Sequence, residues 1–243
     1  MWLPAPENLA LSPEDVHIWR AELDQSQACL ARLAATLSAD EQARAERFYF
    51  SLHRQRFIVA RGILRNILGR YLGKEPSELE FCYRDRGKPT LACSNSSVCF
   101  NLSHSEGLAL YAIARGGEIG IDLEFIRPLT DTEQLAKRFF SPREYAVIEA
   151  LPPEQKQQAF FDLWTCKEAY LKATGEGIAG LRHVEVSLTP DAPPQLLSLP
   201  GNQPLFPNWS LKPLTFASNY ASAIVVTGDK CQFSYWQWVA SAL

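Results

Sequence analysis

The order of strand and helix patterns along the chain is the feature that most limits how it can fold. A strand pattern in "DVHIWRAEL" (15–23) is followed by a long amphipathic helix pattern at 52–71 and then by several short β-rich segments. After Gly116 and Gly117 the order returns, with the strand "GIDLEF", a long helix pattern at 154–175 and further short strands. This grouping is typical of an α+β protein. The sequence therefore predicts two similarly built α+β halves, residues 1–117 and 118–243.

Two acids interrupt the apolar strand that opens the second half. In "GEIGIDLEFI" (117–126), Asp122 and Glu124 are two residues apart, so their side chains point to the same face of the strand. Like charges this close need an offsetting cation, a shared proton or basic neighbours. Two solvated acids at a strand end are the alternative interpretation for this pair taken alone.

A third acid lies in the long helix pattern of the second half. Glu168 occurs in "WTCKEAYLK", with Lys167 before it and Lys172 one turn later. Three carboxylates suit a hard cation such as Mg²⁺, which also takes oxygen atoms from substrate phosphates. The neighbouring lysines suit those phosphates. The alternative is a solvated helix face.

Two further motifs lie in the β-rich part of the first half. In "FNLSHSEG" (100–107), Ser103 and His104 are adjacent on a strand and point to opposite faces, which argues against a serine nucleophile paired with a histidine base. Ligand contact at a strand end is the functional interpretation, and a structural histidine is the alternative. In "RDRGKP" (84–89), Lys88 is either a phosphate ligand or part of an ordinary turn.

Charge and cysteine content limit the class of protein. Net charge is −3, yet seven arginines lie close together and are opposed there only by Glu46, which predicts a local anionic partner. They are Arg44, Arg47, Arg54, Arg56, Arg61, Arg65 and Arg70. The six cysteines form no CxxC pair, which is typical of reduced thiols in a cytoplasmic protein and disfavours a zinc site. No secretory signal pattern or membrane-spanning apolar run is present, so we expect no membrane partner.

Taken in order, "RGKP", "FNLSHS", "GIDLE", "KRFFSPREY" and "WTCKEAYLKATGEGI" resemble the motif series of the surfactin-synthetase-type 4′-phosphopantetheinyl transferases. The resemblance covers roughly residues 40–188. It implies two pseudo-symmetric halves, each a small antiparallel sheet packed with helices, with the active site in the cleft between them. It also implies a monomer that moves the 4′-phosphopantetheine arm of coenzyme A to a serine of an apo acyl or peptidyl carrier protein, with Mg²⁺ as cofactor and no nucleic acid as partner.

The resemblance also implies roles for individual residues. The metal ligands would be Asp122, Glu124 and Glu168. The catalytic residues would be Glu168, which activates the serine directly or through a water, together with Asp122 and Lys172. The coenzyme A contacts would be Arg56, Lys88, Pro89, Ser103, His104, Lys167 and Lys172. The arginine-rich helix, with Arg54 and Arg65 at its outer rim, and the segment after Phe125 are candidate docking surfaces for an acidic carrier protein.

Two other functions compete with this one. A binding module for an acidic protein or a nucleic acid would explain the arginines but neither the three acids nor the ordered motifs. A different Mg²⁺-dependent enzyme acting on nucleotide phosphates would explain the acids and lysines. Only the transferase would leave a carrier protein heavier by one phosphopantetheine.

Overall fold

The computed structural model describes residues 2–84, 86–92, 96–188, 192–198 and 209–240. The α-helices are α1 (Gln27–Ala34), α2 (Ala39–Glu46), α3 (Ser51–Leu72), α4 (Thr132–Phe139), α5 (Pro142–Ala150) and α6 (Pro153–Thr174), and short 3₁₀ turns cover Pro76–Glu78 and Ile178–Gly180. The first strands are β1 (Leu3–Pro4), β2 (Asp15–Glu22), β3 (Phe81–Tyr83), β4 (Pro89–Leu91), β5 (Val98–Ser105) and β6 (Leu108–Arg115). The later ones are β7 (Ile119–Phe125), β8 (Glu185–Val186), β9 (Leu196–Ser198), β10 (Trp209–Pro213), β11 (Tyr220–Thr227) and β12 (Gln232–Gln237).

The two long helices form where the sequence predicts them, and glycines end both. α3 is followed by Gly73 in the left-handed conformation (φ 61°), and α6 is followed by Gly175 (φ 80°). Residues with a Cβ rarely adopt this conformation, whereas glycine does so at little cost, and it allows the chain to turn away from the helix end. A capping box formed by Ser38 and Glu41 opens α2.

The sheets confirm the predicted α+β class but are not purely antiparallel. A five-stranded sheet has the order β1-β12-β2-β6-β5, and a three-stranded antiparallel sheet has the order β10-β11-β7. In the first sheet β12 runs parallel to both β1 and β2, and Gln232 pairs with Asp15. The predicted assignment of all of residues 118–243 to the second half is therefore wrong for β12, which belongs to the sheet of the first half.

Side chains of β5 join the two sheets. The Asn101 Oδ1 accepts a hydrogen bond from the Ile121 N–H at 2.9 Å, and the Ser105 Oγ accepts one from the Phe125 N–H at 3.0 Å. In both pairs the β7 residue lies 20 positions after its β5 partner. β5 and β7 therefore run side by side in the same direction. The motif strands of the two halves therefore lie next to each other.

Three apolar cores hold these layers together. One lies between α3 and the five-stranded sheet and contains Trp19 of β2 together with Leu64 and Leu68 of α3. A second lies between α6 and the three-stranded sheet, and a third lies between the two sheets around Ile18 and Ile121. Among the described helices, none combines the length and the apolar character that a membrane crossing requires.

Candidate active site

The two strand acids share one face of β7, and helix α6 covers that face. Gly120 makes this possible, because a Cβ at that position would lie 2.0 Å from the Ala169 O and 2.4 Å from the Ala173 N of α6. The close approach brings the last turns of α6 onto Asp122, which is only 3% exposed. A strand with two acids and a helix with Glu168 and Lys172 thus meet at one place.

Lys172 and Ser103 hold one oxygen atom of Asp122. The Lys172 Nζ donates to the Asp122 Oδ1 at 2.6 Å and to the Ser103 Oγ at 2.8 Å. The Ser103 hydroxyl in turn donates to the same Oδ1 at 3.0 Å. The structure therefore brings together three predicted site residues from β5, β7 and α6, and so from both halves of the chain.

Two carboxylate oxygens at this place have no partner. Four buried side-chain polar atoms in the described part of the chain lack a hydrogen bond, and two of them are the Asp122 Oδ2 and the Glu168 Oε1. An unpaired buried carboxylate oxygen is costly, so such groups in native proteins require an explanation. A bound cation is an explanation that accounts for both oxygen atoms.

Burial and the charge of Asp122 raise the pKa of the two neighbouring glutamates. The pKa of Glu168 rises to about 7, first because of burial and then because of the negative charge of Asp122, while Lys172 opposes the shift. The pKa of Glu124 is also raised, first by burial and then by Asp122. The site therefore holds more negative charge than its own lysine offsets.

The donor chemistry fits Mg²⁺, although the three carboxylates are not arranged as a complete cage. Within the described residues, no group of three or more acids, histidines or cysteines is placed to hold a metal ion. Lys172 takes one oxygen of Asp122, and the Ser105 Oγ donates to the Glu124 Oε2 at 3.3 Å. Mg²⁺ commonly uses one or two carboxylates together with substrate phosphates and water, so Asp122 and Glu168 suffice chemically. The three-ligand set stays a prediction.

A cavity of about 230 Å³ lies between the end of α6 and the "RGKP" motif. Lys88, Pro89, Glu168 and Lys172 all line it. A larger cavity of about 430 Å³ lies elsewhere along α6, near Asp162, and contains none of the predicted site residues. The smaller cavity is therefore the candidate for substrate binding, because it combines two ammonium groups with an unpaired carboxylate oxygen.

Lys88 is anchored where β7 and the end of α6 meet. Its Nζ donates to the Ala173 O at 2.7 Å, to the Ile119 O at 3.0 Å and to the Glu118 Oε2 at 3.3 Å. The Ala173 carbonyl is one of the unpaired groups at a helix C-terminus, where a cation is favourable. Burial lowers the pKa of Lys88, and Glu118 opposes this. The lysine thus has a fixed position, which a flexible turn alone would not give it.

His104 and Arg56 form a second group of predicted residues near the end of β5. The His104 ring is exposed, and its pKa is lowered by desolvation first and then by the positive charges of Lys172, Arg44 and Arg56. Because the His104 ring is exposed to solvent, the three cations explain its lowered pKa better than desolvation does. Arg56 donates to Asp24 at 2.8 and 3.0 Å and to Glu106 at 3.2 Å. Both acids are more than half exposed.

Lys167 does not belong to this site. Its side chain is fully buried and its Nζ donates to the carboxylate of Glu144. Glu144 also accepts hydrogen bonds from the Ser141 N–H and the Val186 N–H. Consecutive helix residues point about 100° apart, so Lys167 and Glu168 cannot both face the cavity. The structure therefore does not support the predicted phosphate contact of Lys167.

The arginine segment is only partly a basic surface. Arg61 and Arg65 are buried, and their Nε atoms donate to the two oxygens of Glu41 at 2.7 and 2.6 Å. Arg70 donates to the Pro6 carbonyl. The prediction that Arg65 lies at the outer rim of the helix is therefore wrong. Arg44, Arg47 and Arg54 remain exposed.

Sequence reasoning missed the residues that position the site. Asn101 and Ser105 connect β5 to β7 by hydrogen bonds. Together with Ser103 they occupy every second position of "FNLSHS". Polar residues at i, i+2 and i+4 of an apolar strand share one face, so this pattern could have identified a polar contact between strands. Glu144 belongs to the capping box that begins α5, and a capping pattern alone does not indicate its contact with Lys167.

Comparison with known proteins gives one consistent family. The family model described as "4′-phosphopantetheinyl transferase superfamily" matches residues 118–225, and a model of the N-terminal part of 4′-phosphopantetheinyl transferases matches residues 19–115. The chain is 53% identical to the 4′-phosphopantetheinyl transferase HetI of a Nostoc species, over 98% of each chain. It is 31% identical to a 4′-phosphopantetheinyl transferase of Bacillus subtilis, over 72% of this chain and 77% of that one.

Among solved structures, the holo-[acyl-carrier-protein] synthase of Thermotoga maritima aligns with a TM-score of 0.37 and 22% identity. The alignment covers 46% of this chain and 62% of that one. This structural similarity is too low to carry an argument, so the sequence relatives decide the family.

Proposed function

The chain belongs to the 4′-phosphopantetheinyl transferase family, and from that membership we propose how its own residues carry out the transfer. The donor is coenzyme A and the acceptor is a serine of an apo carrier protein. The serine oxygen forms a bond to the phosphorus that carries the pantetheine arm. The bond from that phosphorus to the oxygen of the second phosphate breaks, and adenosine 3′,5′-bisphosphate leaves.

The observation that carries this proposal is the pairing of unlike charges at one site. Lys88, Lys172 and the half-buried Glu168 line one cavity, and Lys172 also donates to the buried Asp122. Each of the two carboxylates keeps one unpaired oxygen. Lysines alone would suit any anion. Carboxylates beside them suit a pyrophosphate that arrives with a divalent cation, because each charge in the site then has a partner.

The residues that would hold Mg²⁺ are Asp122 and Glu168, with Glu124 as a third ligand. When bound, the ion supplies positive charge that neutralises the pyrophosphate and favours departure of the second phosphate. The raised pKa of Glu168 belongs to the chain alone, where Asp122 and burial disfavour a second negative charge.

Glu168 is proposed to take the proton of the acceptor serine, directly or through a water. A carboxylate with a pKa near neutrality is a better general base than an ordinary one. A nearby cation would lower that pKa, which favours the route through a water. Lys172 stabilises charge on the phosphate that is attacked, and the Ser103 hydroxyl keeps its ammonium in place.

The remaining predicted contacts hold the nucleotide part of coenzyme A. Lys88 binds phosphate in the cavity, and the backbone of Lys88 and Pro89 lies near the adenine. His104 and Arg56 bind a further phosphate. A bound phosphate would offset the neighbouring cations and raise the pKa of His104, so that the ring becomes a better partner for the anion.

The test is incubation of the purified protein with coenzyme A, Mg²⁺ and a panel of apo acyl and peptidyl carrier proteins, followed by intact mass measurement. We expect one carrier or more to gain the mass of one phosphopantetheine, and Asp122→Ala to abolish the gain while the fold is kept. A protein that releases nucleotide without modifying any carrier would refute the proposed reaction. We also propose that the enzyme acts as a cytoplasmic monomer, which light scattering and fractionation of the cells would check.

A further inference from the structure

A cluster of exposed apolar side chains lies where α2 passes into α3. We call it the aromatic patch, and it consists of Phe48, Tyr49, Phe50 and Leu52. Tyr49 is 92% exposed, which is the highest value for a large hydrophobic side chain among the described residues, and Phe50 is 62% exposed. Single exposed apolar residues are common, but contiguous ones mark contact surfaces.

The folding of this segment does not account for the aromatic patch. The Tyr49 and Phe50 rings contact each other edge to face, with centroids 4.9 Å apart. Phe50 occupies the N-cap position of α3, where it makes no side-chain capping bond. Serine, threonine, aspartate or asparagine would stabilise the helix better at this position. Local stability therefore does not explain two exposed aromatic rings here.

Positive charge surrounds the aromatic patch. Arg44, Arg47 and Arg54 are exposed, and Arg44 also lies over the Phe57 ring at 5.4 Å from its centroid. The one acid among residues 44–54 is Glu46. A complementary partner would present apolar side chains flanked by carboxylates.

The aromatic patch lies beside the candidate active site. Arg56, in the second turn of α3, bonds to Glu106 in the turn that follows β5. His104 lies two residues before Glu106, and the charge of Arg44 acts on it. A macromolecule seated on the aromatic patch would thus lie next to the residues proposed to hold coenzyme A.

We propose that the aromatic patch, with Arg47 and Arg54, is a docking surface for the apo carrier protein. This rests on the proposed function, because only a macromolecular acceptor needs a surface outside the cavity. The adenine of coenzyme A is a poorer occupant. The rings of Tyr49 and Phe50 are nearly perpendicular (89°) and form no slot into which a base could stack.

The decisive variant is the double substitution Tyr49→Ser with Phe50→Ser. Serine is a favoured N-cap residue, so α3 should not lose stability. We expect kcat/KM for the carrier protein to fall about tenfold or more, as for the loss of a central aromatic contact. The KM for coenzyme A should not change. Val239→Ser is the matched control, because Val239 is 40% exposed and follows Trp238, which bonds to Asn66 much further along α3.

A charge arm of the experiment uses Arg47→Glu with Arg54→Glu. Transfer to an acidic carrier should slow, and added salt should narrow the difference from wild type, because exposed charges are screened. Unchanged kcat/KM at subsaturating carrier in the double serine variant would overturn the docking surface, as would a raised KM for coenzyme A. If the wild type modifies no carrier at all, the proposed function itself fails.

Discussion

Replacing Gly120 by alanine tests whether the contact between β7 and α6 sets the active site. The added Cβ would lie 2.0 Å from the Ala169 O and 2.4 Å from the Ala173 N. Ordinary contacts between such atoms are about 3.5 Å, so α6 must move by about 1 Å or more. Glu168 and Lys172 would move with it, away from Asp122. A displacement of about 1 Å at reacting groups costs about a hundredfold in rate.

Stability and rate should both be measured for Gly120→Ala. Overpacking of this kind destabilises by about 1–3 kcal/mol, which urea unfolding followed by fluorescence would detect. The rate is kcat for carrier modification at saturating coenzyme A and Mg²⁺, measured by intact mass and normalised to folded protein. We expect kcat to fall about a hundredfold.

Gly62→Ala provides the matched control. Its Cβ would lie 2.6 Å from the Leu33 Cβ and 2.9 Å from the Leu33 O, in the contact between α1 and α3. This crowding is milder than that at Gly120 but still too close for a Cβ, and it is remote from β7 and α6. Stability should therefore fall while kcat stays near wild type. A Gly120→Ala protein with normal kcat would refute the claim that this close contact positions Glu168 and Lys172.

Three further predictions follow from the same geometry. Glu168→Gln should lower turnover at least about a hundredfold and raise the Mg²⁺ requirement; full recovery in excess Mg²⁺ would make Glu168 a ligand only. Lys88→Ala should raise the KM for coenzyme A more than it lowers kcat. A change only in the KM for the carrier protein would show that Lys88 contacts the carrier and not coenzyme A. Burial lowers the pKa of His17, whose Nδ1 lies 2.7 Å from the Tyr71 hydroxyl, so the unfolded chain binds its proton more readily. The free energy of unfolding should therefore decline as pH falls below about 6.5, and His17→Gln should weaken that dependence.

The residues that meet at the site were predictable because they follow the periods of their elements. Asp122 and Glu124 are two apart on a strand, and Glu168 and Lys172 are four apart on a helix, so each pair shares a face. In the structure, hydrogen bonds join Asp122 to Ser103 and to Lys172. The same rule would have removed Lys167 from the site, since a residue adjacent to Glu168 on a helix faces elsewhere.

The partners of the buried charges were not predictable from local pattern. Glu41 lies just before the arginine segment, and it serves both the start of α2 and two arginines of α3. The spacing of residues along one helix does not indicate which turn of another helix packs against it, so the contact of Glu41 with α3 could not be predicted. The parallel pairing of β12 is non-local in the same way, since its apolar alternation fits either sheet.

The position of β12 has a consequence for the order in which the protein can assemble. During synthesis β2 emerges long before its neighbour β12, so one side of β2 stays unpaired until β12 has been made. Joining segments so far apart carries a high loop-closure entropy and slows folding. The two halves are therefore not independent units that could be exchanged between relatives. A chimera joined after Gly117 would close the first sheet of one parent with a strand from the other.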